Sequence, residues 1–202
     1  MSRLRLVRLA AAAAVSIAAC AGSSAALAAP GHDTRGHAAA QPGGCAHAGA
    51  TPTKHNLNLI RVATLCLINR ERVTRGERPL RPNARLRRAA QAHTHSMAFG
   101  DYFEHVGPGG QTPAARMRDV GYISSSRVGY EVGENIAWAT GRLATPREIV
   151  AAWMASPGHR ANILDRRYRE TGIGVSPHPP SSLAHGRGGA IYTQDFGVIV
   201  PR

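Results

Sequence analysis

Residues 102–122 read YFEHVGPGGQTPAARMRDVGY and join an aromatic pair, a histidine and a glycine-rich turn. Aromatic pairs are typical of a core, whereas a Gly/Pro-rich turn is typical of a surface. His105 lies between the two, so its side chain can face a cleft. Thr112 followed by Pro113 then predicts a short helix that ends near Gly121. The stretch therefore predicts a tight turn that presents His105 at an opening of the fold.

Two longer helices are predicted upstream of this stretch. The first begins after Asn56, follows a helical apolar period and stops at Gly76. The second begins with Asn83 as its N-cap and ends near Gly100. The face of the first helix that we expect to be buried carries Leu59, Val62, Ala63, Cys66 and Leu67. The corresponding face of the second helix carries Leu86, Ala90, His93 and Met97. This position predicts that His93 is a hydrogen-bonded core residue rather than a ligand.

Two further helices are predicted downstream. Thr145-Pro146-Arg147-Glu148 is a capping box, which explains Glu148 without a catalytic role. Ser156 is expected to cap the next helix, so His159 lies in the first turn of that helix. The positive end of a helix disfavours an imidazolium, which predicts a neutral His159 ring able to act as a base or a metal ligand.

The last third of the chain changes to a strand-like period. Residues 171–175 and 190–194 are predicted strands that a long polar hairpin loop connects. Residues 122–132 are expected to be irregular, and residues 133–141, GENIAWATG, have a mixed pattern bounded by glycines. Helices followed by a few antiparallel strands predict an α+β layered domain.

The N-terminus has the features of an export signal. A basic start and a short apolar run precede the small residues at 26–28, so residues 1–29 are predicted to be a signal peptide. Residues 17–20, Ile-Ala-Ala-Cys, also resemble a lipobox, which leaves a lipid anchor on Cys20 as the alternative. Both routes predict an exported protein, secreted or lipid-anchored, and no later run is apolar enough for a membrane helix. Residues 30–54 are predicted to be a flexible leader and residues 55–202 the folded domain.

The charge of the chain is strongly positive. The 202 residues carry a formal charge of +13, and Lys54 is the only lysine. Removal of residues 1–29 takes away three arginines and no acid, which leaves +10. Such a surface favours an anionic cell-wall polymer or lipid as partner, or it is only a solvated basic face. Because the arginines are not interleaved with aromatic residues, a nucleic-acid groove is disfavoured. We also expect the protein to be a monomer.

Cys45 and Cys66 are the two cysteines that follow the signal segment. A pair of cysteines in an exported protein predicts a disulfide. The closed loop of about 20 residues would contribute about 3 kcal/mol to stability. No CxxC or Cys/His spacing supports a metal site at this pair.

Seven segments between residues 57 and 198 together resemble the motifs of a known family. They are LCLINRERVTRG, LRRAAQAHTHSM, YFEHVGPGGQTPAARMRDVGY, GENIAWATG, AAWMASPGHRANIL, ETGIGV and IYTQDFG. They resemble the short bacterial branch of the CAP superfamily, which comprises the cysteine-rich secretory, antigen 5 and pathogenesis-related-1 proteins with SCP domains. The resemblance implies a secreted α-β-α sandwich with a small antiparallel sheet between helices and a cleft.

The resemblance also implies site residues. In the eukaryotic branch the cleft holds two histidines and two glutamates, sometimes with zinc or another divalent ion. His105 matches the first histidine and Glu134 the first glutamate. The second glutamate corresponds to Ser156 and the second histidine to Ile191, so half of that set is absent. His159, in SPGHR, is a feature of the bacterial branch and could supply a replacement nitrogen.

His105, Glu134 and His159 are therefore the candidate catalytic and metal-binding residues. If they converge, two imidazoles and a carboxylate would suit zinc with an open fourth position, as in a hydrolytic site. Without a metal, a His–Glu pair could act as base and orienter, or it could only hold the backbone together. No nucleophile is evident, because Ser156 is explained as a helix cap and GxSxG is absent.

Two functions follow from these candidates. The sequence favours an extracellular or cell-envelope binding module whose cleft takes a divalent metal, zinc for example, or a small apolar ligand. The alternative is a metal-assisted hydrolase of peptide or cell-wall substrates that uses His105, Glu134 and His159. Whether there is any turnover stays open at this point.

Overall fold

The computed structural model describes residues 44–200, so the predicted signal peptide and the Cys20 alternative lie outside the described residues. The helices are α1 (Leu57–Val73), α2 (Ala84–Gly100), α3 (Pro113–Asp119), α4 (Pro146–Ala155), α5 (Pro157–Leu164) and α6 (Ser181–Ala184). The strands are β1 (Arg81–Pro82), β2 (Gly129–Thr140), β3 (Glu170–Ser176) and β4 (Gly189–Val200). Within residues 44–200, none of the helices has the length and hydropathy that a bilayer crossing requires.

The sheet has the order β1-β3-β4-β2. β4 pairs antiparallel with β3 and with β2, and Glu134 of β2 lies opposite Asp195 of β4. The two residues of β1 pair parallel with β3, so the sheet is mixed. One face of the sheet packs on α1, α4 and α5 through Tyr192 and Phe196, and the other face packs on α2 and α3. The predicted α+β architecture, an α-β-α sandwich, is confirmed.

Small residues let α2 lie directly on β3. A Cβ at Gly172 would come within 2.0 Å of the Arg87 backbone nitrogen, and a Cβ at Gly174 within 2.4 Å of the Ala90 carbonyl oxygen. A larger side chain at either position would push the helix off the sheet, which explains the motif ETGIGV. The close contact fixes α2, and with it the direction in which His93 points.

The helix caps agree well with the sequence. Asn83 Oδ1 accepts hydrogen bonds from the backbone N–H groups of Arg85 and Leu86, and Thr112 Oγ1 accepts one from Ala115. Thr145 Oγ1 caps α4 by accepting from the Glu148 backbone N–H at 3.5 Å. The predicted N-termini of α2, α3 and α4 are therefore confirmed.

The predicted buried face of α1 is partly wrong. Leu59 and Val62 are 44% and 61% exposed. The residues that α1 buries are Ile60, Ala63, Thr64, Leu67, Ile68 and Arg72. Two apolar stripes overlap on this helix. The stripe that begins at Ile60, one residue after Leu59, is the one that packs on α4 and β3.

One predicted boundary also differs from the structure. β2 begins at Gly129, inside the segment expected to be irregular, because it pairs with β4 along its whole length. The chain is packed from Cys45 onward. Ala48 is buried, and its carbonyl accepts a hydrogen bond from the Arg147 backbone N–H. The Cys45–Cys66 disulfide is present and ties this segment to α1.

Candidate functional site

Glu134 is the centre of a buried polar cluster on the sheet face that carries α2 and α3. Its side chain is 2% exposed. Oε1 accepts a hydrogen bond from His105 Nδ1 at 2.8 Å, and Oε2 accepts one from Arg116 Nη2 at 2.6 Å. Hydrogen bonds between ionised partners are among the strongest in proteins. The contact between His105 and Glu134 that the sequence suggested is therefore present. Arg116 binds the second oxygen of the same carboxylate. We call His93, His105, Arg116, Glu134 and Asp195 the Glu134 cluster.

Arg116 also fixes the turn that carries His105. Its Nη2 donates to the His105 carbonyl at 3.1 Å, and its Nη1 donates to the Gln111 carbonyl at 2.8 Å. The Gly107 N–H closes the same turn on the Gln111 carbonyl. One guanidinium thus holds both the acid and the backbone of the turn. As a result His105 keeps a fixed orientation although its side chain is 32% exposed.

His93 is the core histidine that the sequence predicted. It is buried on α2, and its Nε2 lies 2.9 Å from the Glu104 carbonyl oxygen, to which it donates. The same nitrogen is 3.9 Å from Glu134 Oε1. Burial lowers the pKa of His93, against the attraction of the Glu134 carboxylate. His93 therefore supports the turn as a neutral side chain.

The charge state of Glu134 follows from these contacts. Burial would raise its pKa, but the hydrogen bond from His105 and the charge of Arg116 outweigh burial and hold the pKa below its usual range. Since Glu134 is ionised, His105 Nδ1 carries the hydrogen that Glu134 accepts. The Nε2 atom of a neutral His105 is then an acceptor, directed away from the acid.

Asp195 is a second buried acid in this cluster. It lies directly opposite Glu134 across β2 and β4 and is fully buried. Neither carboxyl oxygen accepts a hydrogen bond from an N–H or O–H group within residues 44–200. Burial and the charge of Glu134 raise the pKa of Asp195 well above its ordinary value. Protonation of Asp195 would explain why its oxygens lack a donor. The O–H of a protonated Asp195 can donate to Glu134, whereas two carboxylates offer only acceptors.

His159 lies at the free edge of β2, at the start of α5. Its Nδ1 is 2.8 Å from Ser156 Oγ. The prediction that this hydroxyl caps α5 is therefore wrong: Ser156 makes no side-chain cap and contacts the imidazole instead. Burial, and then the Coulombic effect of the nearby His105, lower the pKa of His159. The two imidazoles are thus close enough to influence each other, although no hydrogen bond joins them.

Two asparagines hold α5 against this edge of the sheet. Asn135 Nδ2 donates to the His159 carbonyl at 3.1 Å. Asn162 Nδ2 donates to Asn135 Oδ1 at 2.9 Å and to the Glu134 carbonyl at 3.2 Å. These bonds satisfy polar groups that an edge strand would otherwise leave open. They also set the position of His159 relative to His105.

The donor set does not suit a metal ion bound through all three predicted residues. Both Glu134 oxygens are already engaged, and the Arg116 guanidinium beside them would repel a cation. Over residues 44–200, no group of three or more His, Cys, Asp or Glu side chains is arranged to hold a metal ion. The positions of the missing glutamate and histidine are occupied by Ser156 and by Ile191, which is fully buried. A metal at His105, Glu134 and His159 therefore stays a prediction that this geometry does not favour.

Sequence reasoning missed Arg116 and Asp195. Arg116 lies in a short helix with Arg118, a pattern that usually indicates a solvated basic face. Asp195 occupies a strand position whose neighbours alternate between the two faces of the sheet. The register of β2 with β4 decides that it meets Glu134, and that register was not readable from the sequence.

Comparison with known proteins identifies the family of this chain. The family model "CAP: Cysteine-rich secretory protein family" matches residues 65–196. The uncharacterized protein YkwD of Bacillus subtilis (strain 168) is 34% identical over 131 residues, which cover 64% of this chain and 44% of that protein. The chain thus spans less than half the length of this relative.

Two solved structures share the fold. An extracellular protein of Bacillus anthracis that contains an SCP domain matches with a TM-score of 0.55 and 23% identity, over 76% of this chain and 45% of that one. An outer surface protein of Borrelia burgdorferi matches with a TM-score of 0.55 and 16% identity, over 72% of this chain and 94% of that one. With most of its folded part matched by the family model, this chain belongs to the CAP, or cysteine-rich secretory protein, family.

Proposed function

We propose that this protein is an exported binding module whose site, between His105 and His159, takes a small ligand with an apolar body and one polar group. The observation that carries this proposal is the engagement of both Glu134 oxygens by His105 and Arg116. This arrangement holds one imidazole in a single orientation and tautomer. A fixed imidazole is a good hydrogen-bonding partner for a ligand, because little side-chain entropy is lost on binding.

Apolar side chains near His105 in the chain, together with Trp138 of β2, would supply the other half of the site. Phe103 and Trp138 are only partly buried and pack on the cluster formed by Met97, Ile136 and Ile191. Val106, next to His105, is 40% exposed. Ile191 stands where the eukaryotic branch has its second histidine, so a buried apolar side chain replaces a potential metal ligand. This composition favours an apolar ligand over a metal ion.

Export is supported by the disulfide and by the relatives. A structural disulfide such as Cys45–Cys66 is typical of oxidising compartments outside the cytosol. The Bacillus anthracis protein that shares the fold is described as extracellular. A secreted form, or one anchored through Cys20, agrees with both observations.

The test is a titration with a long-chain fatty acid, followed by NMR signals of the histidine imidazoles. We expect the signals of His105 and His159 to shift and saturate, while the exposed His178 serves as an internal control. A parallel titration with Zn²⁺ separates a metal from an apolar ligand. If neither probe moves His105 or His159, or if only zinc does, the proposal is wrong.

A hydrolase is the second candidate, and the contact between Ser156 Oγ and His159 Nδ1 favours it. A hydroxyl hydrogen-bonded to a neutral imidazole is the arrangement from which a serine nucleophile is activated. The route that the sequence suggested, a metal-bound water held by His105, Glu134 and His159, is less well supported because of Arg116. No carboxylate in residues 44–200 hydrogen-bonds the His159 ring, so the dyad lacks the third group that orients a catalytic base.

Covalent labelling distinguishes this second candidate from the first. A fluorophosphonate probe should label Ser156 if the dyad is catalytic, and Ser156→Ala should abolish the label. Ser125→Ala, in an exposed loop, is the control. Absence of labelling in the wild type would remove the serine-hydrolase candidate and leave the binding module.

A further inference from the structure

A groove lined by arginines lies away from the Glu134 cluster. It has a volume of about 360 Å³ and is lined by Gly76, Glu77, Arg78, Arg166, Arg167 and Arg169. One wall is the connection from α1 to β1, and the other is the connection from α5 to β3. We call it the arginine groove.

The positive charge of this groove is only partly neutralised. Arg167 pairs with Asp165 at 2.5 Å and with Glu131 at 2.8 Å. Arg169 donates only to backbone carbonyls, including its neighbour's at 3.1 Å. Arg78 and Arg166 are exposed, and neither forms an ion pair with any carboxylate in residues 44–200. Glu77 is the one acid in the lining, so cationic charge is in excess.

A buried arginine beneath the groove connects its two walls. Arg72 is fully buried. Its Nε donates to the Arg78 carbonyl at 2.7 Å, and its Nη1 donates to the carbonyls of Ile163 at 2.5 Å and Asp165 at 3.0 Å. Its Nη2 has no partner among the described residues. Arg72 therefore fixes the distance between the walls and adds a charge that no hydrogen-bonded acid neutralises.

We propose that the arginine groove binds a phosphodiester polymer that carries no bases. Guanidinium groups match the geometry of phosphate oxygens and bind them in pairs of hydrogen bonds. Unpaired guanidinium groups stand on both walls, so a chain along the groove can place phosphates against Arg78 on one side and Arg166 on the other. The lining contains no aromatic ring on which a base could stack, which favours a polymer without bases over single-stranded nucleic acid. This site is independent of the one proposed beside His105.

The test compares two double variants that remove the same charge. Arg78→Gln/Arg166→Gln removes the two exposed, unpaired guanidinium groups of the groove, one from each wall, whereas Arg85→Gln/Arg87→Gln removes two exposed arginines from α2. The probe is a synthetic poly(glycerol phosphate) oligomer, with binding measured by calorimetry on the full folded chain. We expect the groove variant to weaken binding about tenfold or more and the α2 variant to weaken it less than about threefold. Equal losses in both variants would overturn the proposal, because the binding would then depend on overall charge alone.

Further probes distinguish the source of the phosphate. Inorganic phosphate and vesicles of phosphatidylglycerol should bind more weakly than the oligomer, and single-stranded DNA of equal charge should bind no more tightly. Tighter binding of DNA or of vesicles, lost in the groove variant, would overturn the choice of polymer. Thermal melting of both variants checks that a loss of binding is not a loss of fold. His105→Gln should leave oligomer binding unchanged, so failure of this proposal is separate from failure of the proposed binding site.

Discussion

Two fully or almost fully buried arginines, Arg116 and Arg72, have opposite electrostatic surroundings. Arg116 faces the Glu134 carboxylate at 2.6 Å. Arg72 donates to three backbone carbonyls and has no hydrogen-bonded carboxylate. Burial lowers the pKa of Arg72, although Glu77 and Asp165 partly offset that effect. The pairing of Arg116 makes a neutral, rigid site, whereas the unpaired charge of Arg72 adds to a cationic groove.

Burial alone therefore does not define the role of a charged residue. A buried ion pair is sensitive to loss of either partner, since the remaining charge is left without compensation. A buried arginine bound to carbonyls leaves only neutral acceptors behind when it is removed. The two regions should therefore respond differently to the same substitution.

The largest effect is expected for Arg116→Met. The change leaves Glu134 buried without its guanidinium, which should lower the free energy of unfolding by about 3–5 kcal/mol. Chemical denaturation measures this loss. Adding Glu134→Gln should recover part of it, because the two residues act as a pair. Losses that simply add would show that the ion pair is not coupled in solution.

The next effect is expected for Cys66→Ser, which touches neither arginine. Loss of the disulfide, which joins residues 21 apart, relaxes the unfolded state. The free energy of unfolding should fall by about 3 kcal/mol without loss of the fold. An unchanged melting temperature under reducing conditions would contradict the disulfide. The loss of stability in Cys66→Ser gives a reference against which the loss in Arg116→Met is compared.

A smaller effect is expected for Arg72→Met. The substitution leaves three carbonyls without a donor but also removes an uncompensated charge, so a loss of about 2 kcal/mol is expected. Denaturation under the conditions used for Arg116→Met gives a direct comparison. A loss as large as that of Arg116→Met would remove the distinction between the two regions.

The smallest effect is expected for Asp195→Asn, and it depends on pH. The raised pKa of Asp195 means that the folded protein keeps a proton that the unfolded chain releases above about pH 4. Stability from this group is therefore lost as pH rises towards the folded pKa. Asparagine has no such titration, so the stability of the variant relative to wild type should rise by about 1 kcal/mol, or 2–4 °C, for one pH unit above about pH 5.

Thermal melts of both proteins across this pH range test the assignment. A stability difference that stays constant with pH would mean that Asp195 does not hold a proton. His105→Gln, measured in the same series, shows whether a second group of the cluster produces the same pH dependence.

The fold was largely readable from the sequence, because caps, glycines and apolar periods are local signals. Asn83 and Thr112 cap their helices as predicted, and the strands at 171–175 and 190–194 are present. The exposed Leu59 shows the limit of such patterns: two apolar stripes on α1 are equivalent until the partner helices are known. The length of β2 likewise depends on its pairing with β4, which is a non-local contact.

The candidate site was readable only in part. The resemblance located His105 and Glu134, and the structure brings them into hydrogen-bond contact. The sequence did not reveal Arg116 and Asp195 as site residues. Their burial depends on how α3 and β4 pack against β2, and not on neighbouring residues in the chain. The prediction for Ser156 was wrong. Its position in the sequence predicts a helix cap, but in the structure its hydroxyl contacts the His159 ring instead.

We infer that Glu134, with both oxygens held by His105 and Arg116, leaves no free carboxylate for a metal ion. A calorimetric titration with zinc at neutral pH, on the wild type and on His105→Ala, tests it most directly. We expect no stoichiometric zinc binding in either protein. One zinc per chain bound by the wild type and lost in His105→Ala would contradict it.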